Sequence, residues 1–222
     1  MISFGIYCLA GIVNLVCAFY FKEGLRKISK CCLMPALFIF YFLASEQILF
    51  LVIAALAFSW AGDILLINKD KPVFFKLGLA AFLVSHVFYI IAFLTLAGSI
   101  NTIALIISVV VAVPVTLAIL KLLNANAQMK IPVAVYAVVI MLMSMAALQL
   151  MLARPGFSYP AMEPKTGAAF ILVFAASLVY LFSDSYMAYL LFHTKPRHFN
   201  VVTMIPYIIA QGGIIFGLVL NH

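Results

Sequence analysis

Residues 49–68, LFLVIAALAFSWAGDILLIN, and residues 167–193, GAAFILVFAASLVYLFSDSYMAYLLFH, decide the fold, because each is apolar enough and long enough to cross a membrane. Each run nevertheless contains an aspartate, Asp63 in the first and Asp184 in the second, in a chain with six acidic residues. A charged aspartate at the centre of a membrane helix costs roughly 2.5–3.5 kcal/mol on insertion scales and usually faces a bundle interior or an aqueous cavity. The two runs therefore predict both a membrane fold and a functional site.

The composition of the whole chain predicts a polytopic membrane protein. Of its 222 residues, 68% are hydrophobic and 9% are charged, which is far more apolar than a soluble domain. The expected spans are residues 2–21, 31–44, 48–67, 73–97, 100–120, 131–152, 167–192 and 200–220. They use nearly all of the chain, so we expect an all-α bundle of eight transmembrane helices in one integral membrane domain, residues 1–222. The first segment lacks the basic region and cleavage site of a signal peptide. In a bacterium the protein is expected in the inner membrane.

The basic residues predict the orientation of the bundle. Arg154 and Lys165 lie between the sixth and seventh spans. The other basic residues lie in or beside the connections between spans 1–2, 3–4, 5–6 and 7–8: Lys22, Arg26, Lys27, Lys30, Lys69, Lys71, Lys76, Lys121, Lys130, Lys195 and Arg197. We call this side of the bundle the basic end. The positive-inside rule places it in the cytoplasm and both termini outside, and charge so distributed predicts no nucleic-acid partner.

Prolines and cysteines are assigned structural roles. Pro35 and Pro132 are expected near helix starts, where a missing N–H matters little, and Pro114 inside the fifth span, where it bends the helix. Residues 154–164, RPGFSYPAMEP, predict the longest loop on the outer side.

We predict neither a zinc site nor a disulfide, since the cysteines lack metal-binding spacing: they are Cys8, Cys17, Cys31 and Cys32.

Polar side chains at helical spacing mark one face on several spans, and they predict a polar cavity that opens toward the basic end. The candidates for its lining are Asn14, Lys30, Ser59, Asp63, His86, Asp184, Tyr207 and Gln211. Hydroxyls in membrane helices mostly bond to their own backbone or to a neighbouring helix, which is the expectation for Ser177, Ser183, Ser185 and Thr203. Tyr89 and Tyr180 are expected to be packing residues.

The two aspartates are expected at similar depths, roughly 6 Å and 12 Å from the basic end of their spans. The sequence places no lysine or arginine at that depth, so it predicts a protonated or proton-sharing carboxyl rather than a salt bridge. In surroundings of low dielectric, at least one aspartate is expected to stay neutral at neutral pH while the other ionises.

A carboxylic acid beside a carboxylate can cleave acetal-like C–O bonds through an oxocarbenium-like cation. The sequence lacks a nucleophile elbow, an HExxH motif and a phosphate-binding glycine loop, and we predict no metal and no cofactor. Two other functions stay open. A proton-coupled transporter would use the pair as a proton relay. An intramembrane aspartyl protease would need a GxGD motif, but Trp60 stands at its first glycine.

Five segments resemble the lysoplasmalogenase (YhhN-like) family of eight-helix membrane enzymes. They are residues 58–66, FSWAGDILL; 77–93, LGLAAFLVSHVFYIIAF; 135–143, VYAVVIMLM; 181–189, LFSDSYMAY; and 206–213, PYIIAQGG. They occur in the family's order and are distributed over residues 58–213, which is most of the chain. Lys30 stands where the family has a lysine that opens the second span.

The resemblance implies hydrolysis of the sn-1 vinyl ether of choline or ethanolamine lysoplasmalogens, which gives a fatty aldehyde and a glycerophospho-compound. Water is the co-substrate, the bilayer is the environment, and the sequence indicates no oligomeric state. By motif position Asp63 and Asp184 are the catalytic pair, with Asp184 the general acid because it lies deeper. The substrate-binding candidates are Lys30 for the phosphate and Ser59, His86, Tyr207 and Gln211 for water, the headgroup or the glycerol hydroxyl.

Overall fold

The computed structural model describes residues 2–68, 70–123, 127–153, 164–193 and 196–220, and within these residues it contains helices and no strand. A 3-10 turn, Leu66–Asn68, extends the third helix. The α-helices are α1 Ile2–Phe19, α2 Glu23–Ala44, α3 Phe50–Leu65, α4 Pro72–Ala97, α5 Thr102–Leu123, α6 Ala127–Ala153, α7 Pro164–Phe192 and α8 Phe199–Leu220. Among the described residues, the all-α architecture with eight α-helices is confirmed, while a membrane crossing by all eight stays a prediction.

Seven of the described helices, all except α5, are long and apolar enough to cross a membrane. The apolar stretch described in α5, Thr102–Ala118, is shorter than the other seven. Large apolar side chains are exposed on the outer faces of the helices, as expected where the surroundings are lipid. The protein is therefore an integral multi-pass membrane protein, while the orientation of the basic end and the single-domain assignment stay predictions. Lys69, Arg154, Lys195 and the loop at residues 154–163 lie outside the described residues.

The second helix differs from its prediction, because α2 begins at Glu23 rather than at residue 31. Residues 23–30, EGLRKISK, are too polar to count as a membrane span, yet they continue the same helix. Hydropathy detects the apolar part of a helix and not its whole length. As a result, Lys30 lies inside α2 rather than at its start.

The expectation that Pro35 and Pro132 lie near helix starts is wrong. Pro35 lies in the middle of α2, and Pro132 lies inside α6, which begins at Ala127. Pro114 lies inside α5, as predicted. A proline inside a helix removes the hydrogen bond to the carbonyl four residues earlier, so each leaves a carbonyl without its usual partner.

The helices form a closed ring. In order around it, α1, α2, α3, α4, α6, α7 and α8 each pack against the next, and α8 packs against α1. The remaining helix, α5, packs outside the ring against α6 and α7. Asn14 links α1 to α2, since its Nδ2 donates to the Arg26 carbonyl (2.8 Å) and the Ser29 hydroxyl (3.0 Å) of α2.

Two positions require glycine, one for close helix packing and one for its backbone conformation. Gly62 lets α3 approach α4 closely, because a Cβ at this position would lie 2.6 Å from the ring of Phe82. This contact fixes the height of the neighbouring Asp63 relative to α4. Gly98 ends α4 with a φ of 71°, a left-handed conformation that glycine adopts without strain, and its N–H caps the Leu94 carbonyl at 3.2 Å.

Candidate active site

The two aspartates face one cavity inside the ring. The cavity has a volume of about 60 Å³, which is room for more than one water molecule. Its lining residues are Arg26, Lys30, Asp63, Leu66, Ile67, Phe82, Ser183, Asp184, Met187, Asn200, Thr203, Met204 and Tyr207. They come from the beginnings of α2 and α8, the ends of α3 and α7, and α4. The cavity therefore lies toward the basic end, as the polar stripes predict.

Asp63 carries an ion pair and a hydrogen bond. Lys30 Nζ of α2 lies 3.2 Å from Asp63 Oδ1, and the hydroxyl of Tyr207 of α8 donates to Oδ2 at 2.7 Å. The side chain of Asp63 is 1% exposed and that of Lys30 is 13% exposed. The prediction that no cation lies at this depth is therefore wrong. A lysine inside α2, with a stem long enough to reach across to α3, supplies it.

Apart from the ion pair with Lys30, Asp63 Oδ1 has no assigned hydrogen-bond partner among the described residues. It therefore keeps a lone pair that can accept a proton from water. The sequence assigned Lys30 to the substrate phosphate, whereas the structure places it on Asp63.

Asp184 has different surroundings. The hydroxyl of Tyr136, on α6, donates to Asp184 Oδ2. Asp184 is 8% exposed, and no ion pair among the described side chains includes it. No hydrogen bond joins the two carboxyls among those of the described residues, although both line the cavity. A carboxyl without a cation partner in apolar surroundings avoids a large desolvation cost by holding its proton.

The two aspartates therefore form an asymmetric pair. Asp63 has a cation and a phenol to stabilise a negative charge, while Asp184 has a phenol alone. In enzymes whose two carboxyls have different environments, one serves as the base and the other as the acid.

A buried hydrogen-bond network centred on Gln211 supports this site from within the ring. Gln211 Nε2 donates to the hydroxyls of Ser59 (3.0 Å) and Tyr180 (2.9 Å), and the Tyr89 hydroxyl donates to Gln211 Oε1 at 3.1 Å. These residues join α3, α4, α7 and α8, and all are buried completely. Tyr89 and Tyr180, expected to be packing residues, thus carry hydrogen bonds. Neither Ser59 nor Gln211 lines the cavity.

His86 lies in the wall behind the cavity. Its Nδ1 is 2.5 Å from the Phe82 carbonyl and must donate to it, which leaves Nε2 as an acceptor in the neutral ring. Nε2 has no hydrogen-bond partner among the described residues, and the rings of Tyr136 and Tyr180 stand edge-to-face against the imidazole. His86 does not line the cavity. A role for it in holding water stays a prediction.

Trp60 joins α3 to α2 beside the ion pair. Because Pro35 has no N–H, the Cys31 carbonyl four residues earlier lacks its intrahelical partner, and Trp60 Nε1 donates to this oxygen at 2.9 Å. Trp60 is 42% exposed on a lipid-facing surface, where hydrocarbon offers no other hydrogen-bond partner. Cys31 directly follows Lys30, and Trp60 lies one turn before Asp63. This hydrogen bond therefore fixes the spacing between the two helices that carry the ion pair.

We expect Trp60→Phe to lower the free energy of unfolding in detergent by about 1 kcal/mol, since it leaves the Cys31 carbonyl unpaired in a medium without water. In a Pro35→Ala background the loss should shrink, because residue 35 then has an N–H that bonds to that carbonyl within α2. Thermal unfolding of the two single variants and the double variant measures this coupling. Equal losses from Trp60→Phe in both backgrounds would contradict it.

Two further hydroxyls bond to the backbone of their own helices, as expected. Ser177 donates to the Phe174 carbonyl of its own helix at 2.7 Å, and Thr203 to that of Phe199 at 2.9 Å. Ser183 nevertheless lines the cavity. The cysteines are unpaired thiols: they are Cys8, Cys17, Cys31 and Cys32. In the described part of the chain, no group of three or more His, Cys, Asp or Glu side chains is placed to hold a metal ion.

Comparison with known proteins identifies the family. A sequence model of the YhhN family matches residues 25–218, which is most of the chain. The protein belongs to the YhhN family, the family of lysoplasmalogenases. No curated protein and no solved structure matches the chain. The resemblance seen in the sequence is thereby confirmed at the level of the family.

The five segments that resemble the YhhN family converge on the site. Residues 58–66 carry Asp63, residues 181–189 carry Asp184, and residues 206–213 carry Tyr207 and Gln211. The matched region also includes the part of α2 that holds Arg26 and Lys30. The motifs thus meet at one cavity and the network behind it, although they lie on five different helices.

Sequence reasoning missed the partner of Asp184 and several residues around the site. Tyr136 was visible as the one polar side chain of residues 135–143, and a buried phenol needs a hydrogen-bond partner. Ser85 was visible beside His86; its hydroxyl is 2.8 Å from that of Ser59 and donates to the Ala55 carbonyl. Arg26 and Asn200 also line the cavity, but nothing in the sequence except their charge or polarity indicated this position.

Proposed function

We propose that the protein hydrolyses the sn-1 vinyl ether of a choline or ethanolamine lysoplasmalogen to a fatty aldehyde and the glycerophospho-compound. The asymmetric pair of aspartates in one cavity of about 60 Å³ carries this proposal, since vinyl ether hydrolysis requires a proton donor and a negatively charged stabiliser for a cation. Membership of the YhhN family supports it.

In the first step Asp184 acts as the general acid. It transfers its proton to the vinyl carbon distant from the ether oxygen, which leaves an oxocarbenium ion at the carbon bonded to oxygen. The hydroxyl of Tyr136 stabilises the carboxylate that forms, because it already donates to Oδ2. The negative charge of Asp63, in the same cavity, stabilises the cation.

In the second step Asp63 acts on water. Oδ1, which has no hydrogen-bond partner among the described residues, accepts a proton from the water that attacks the oxocarbenium carbon, giving a hemiacetal. Lys30 and Tyr207 hold this carboxylate in place. Asp63 then returns the proton to the departing glycerol oxygen while Asp184 takes the hemiacetal proton, which releases the aldehyde and restores both carboxyls. One water is consumed per vinyl ether.

The size of the cavity restricts what enters it. A volume of about 60 Å³ admits the reacting group with water but not a whole lysolipid, so the hydrocarbon chain and the headgroup lie outside it. The vinyl ether of a lysolipid lies just below its headgroup, which matches a cavity near one end of the bundle. We further propose that the basic end faces the cytoplasm.

The direct test offers the purified protein in detergent a lysoplasmalogen and its saturated alkyl-ether analogue. We expect aldehyde from the vinyl ether and none from the alkyl ether, since a saturated ether has no carbon that accepts the proton. Release of a long-chain alcohol from the alkyl ether would contradict acid catalysis at a vinyl carbon. Substrate-dependent proton flux in vesicles without aldehyde would favour a proton-coupled transporter.

A further inference from the structure

The rim of the cavity carries a cation that the proposed mechanism does not use. Arg26 lies one turn before Lys30 on α2 and lines the same cavity, with a side chain that is 11% exposed. Its guanidinium donates to Glu23 Oε2, with Nε at 3.0 Å and Nη2 at 2.5 Å. Lys30 is ion-paired with Asp63. Arg26 also lines the cavity, but it is ion-paired with Glu23 and not with either aspartate of the site.

Asn200 of α8 faces Arg26 across the rim. Its Nδ2 lies 3.4 Å from Glu23 Oε1, so the Glu23 carboxylate has one oxygen toward each of the two donors. An anion with two oxygens thus already fits between Arg26 and Asn200, and a phosphodiester presents its two anionic oxygens in the same way. The Glu23 side chain is 51% exposed, which gives it room to turn toward solvent.

The backbone at the rim adds to the attraction for an anion. The helices α2 and α8 begin at Glu23 and Phe199, and each presents its N-terminal turn at this rim through Arg26 and Asn200. Helix N-termini carry partial positive charge and favour phosphate. The backbone of Arg26 is held in place, because its carbonyl accepts hydrogen bonds from Asn14 Nδ2 (2.8 Å) and the Ser29 hydroxyl (3.0 Å).

We propose that Arg26 and Asn200 form a phosphodiester subsite, which binds the headgroup phosphate of the lysophospholipid while its vinyl ether reaches Asp184. This assignment rests on the proposed function. One turn of helix, about 5.4 Å, separates Arg26 from Lys30 at the carboxyl pair. The three-carbon glycerol backbone spans a comparable length between the sn-1 oxygen and the phosphate. Arg26 thus takes the role that the sequence predicted for Lys30.

The test compares two vinyl ether substrates of equal chain length in mixed micelles, a lysoplasmalogen and a 1-alkenylglycerol without phosphate. In the wild type we expect kcat/KM to favour the phosphate-bearing substrate by about 10- to 100-fold, as for hydrogen bonds to charged groups. Arg26→Gln should bring this ratio close to one, and Arg26→Lys should restore part of it. Lys27→Gln removes an adjacent positive charge that does not line the cavity, so it should leave the ratio at its wild-type value.

A wild-type ratio in Arg26→Gln overturns the subsite, even if both rates fall, because a purely structural role lowers both rates together.

If the wild-type protein cleaves neither substrate, the proposed function fails, and a binding experiment then tests the subsite on its own. In that case a saturated alkyl-ether lysophospholipid should raise the unfolding temperature of the wild type and not that of Arg26→Gln. Equal stabilisation of both proteins overturns the subsite. Equal stabilisation of the wild type by inorganic phosphate assigns the rim to a free anion and overturns the headgroup assignment.

Discussion

Asp184→Asn is expected to lower the rate of aldehyde release by about 10²- to 10⁴-fold, the usual contribution of a general acid. An amide has the shape of the carboxyl and still accepts the hydrogen bond from Tyr136, but it has no proton to give to carbon. The fold should persist, since no ion pair among the described side chains depends on Asp184. The rate is measured as aldehyde formed from a lysoplasmalogen in detergent, with the unfolding temperature of each variant alongside.

Asp70→Asn is the matched control for this variant. Asp70 is an exposed carboxyl in the connection between α3 and α4, and it does not line the cavity, so its removal should leave the rate unchanged. If Asp184→Asn keeps the wild-type rate, Asp184 is not the acid. If Asp184→Asn unfolds at the same temperature as the wild type and has lost its rate, the loss is chemical rather than structural.

The largest effect on stability is expected from Lys30→Met. The substitution removes the ammonium 3.2 Å from Asp63 and leaves a carboxylate buried without its cation, which costs about 3–5 kcal/mol in comparable buried pairs. Adding Asp63→Asn removes the unpaired charge, and the neutral amide still accepts from Tyr207. The double variant should therefore be more stable than Lys30→Met alone, although it should release no aldehyde.

Unfolding temperatures in detergent for the two single variants, the double variant and the wild type form the required cycle. Lys27→Met serves as control, because it exchanges a lysine of the same helix that does not line the cavity. Additive losses in the double variant would show that the Lys30–Asp63 pair carries no coupling energy. Full aldehyde release by the double variant would remove Asp63 from the mechanism.

The correct and the incorrect predictions for α2 have one physical origin. Its apolar part was located because hydropathy is a local property of consecutive residues. Residues 23–30 were missed, since a helix continues past the hydrocarbon wherever its backbone hydrogen bonds continue. Placing Lys30 outside the helix then removed the cation from the expected depth of Asp63, and the error about the salt bridge followed from it.

The residues behind the carboxyls show a second limit. Gln211 and Tyr207 were found because their spacing marks one face of α8. Tyr136 was not, because nothing in residues 135–143 shows that α6 turns this phenol toward an aspartate on α7. The hydrogen bond of Trp60 to the Cys31 carbonyl was equally hidden, since it depends on Pro35 lying in the middle of a helix.

The sequence by itself determined that the chain crosses a membrane in helices and that Asp63 and Asp184 lie buried within two of them. It does so because apolar length and the cost of burying a carboxyl are properties of single segments. Only the tertiary structure decided that the two aspartates differ, with Lys30 and Tyr207 on Asp63 and Tyr136 on Asp184. These partners come from helices that are distant along the chain, and the ring that packs α2, α3, α6, α7 and α8 together brings them within hydrogen-bond distance.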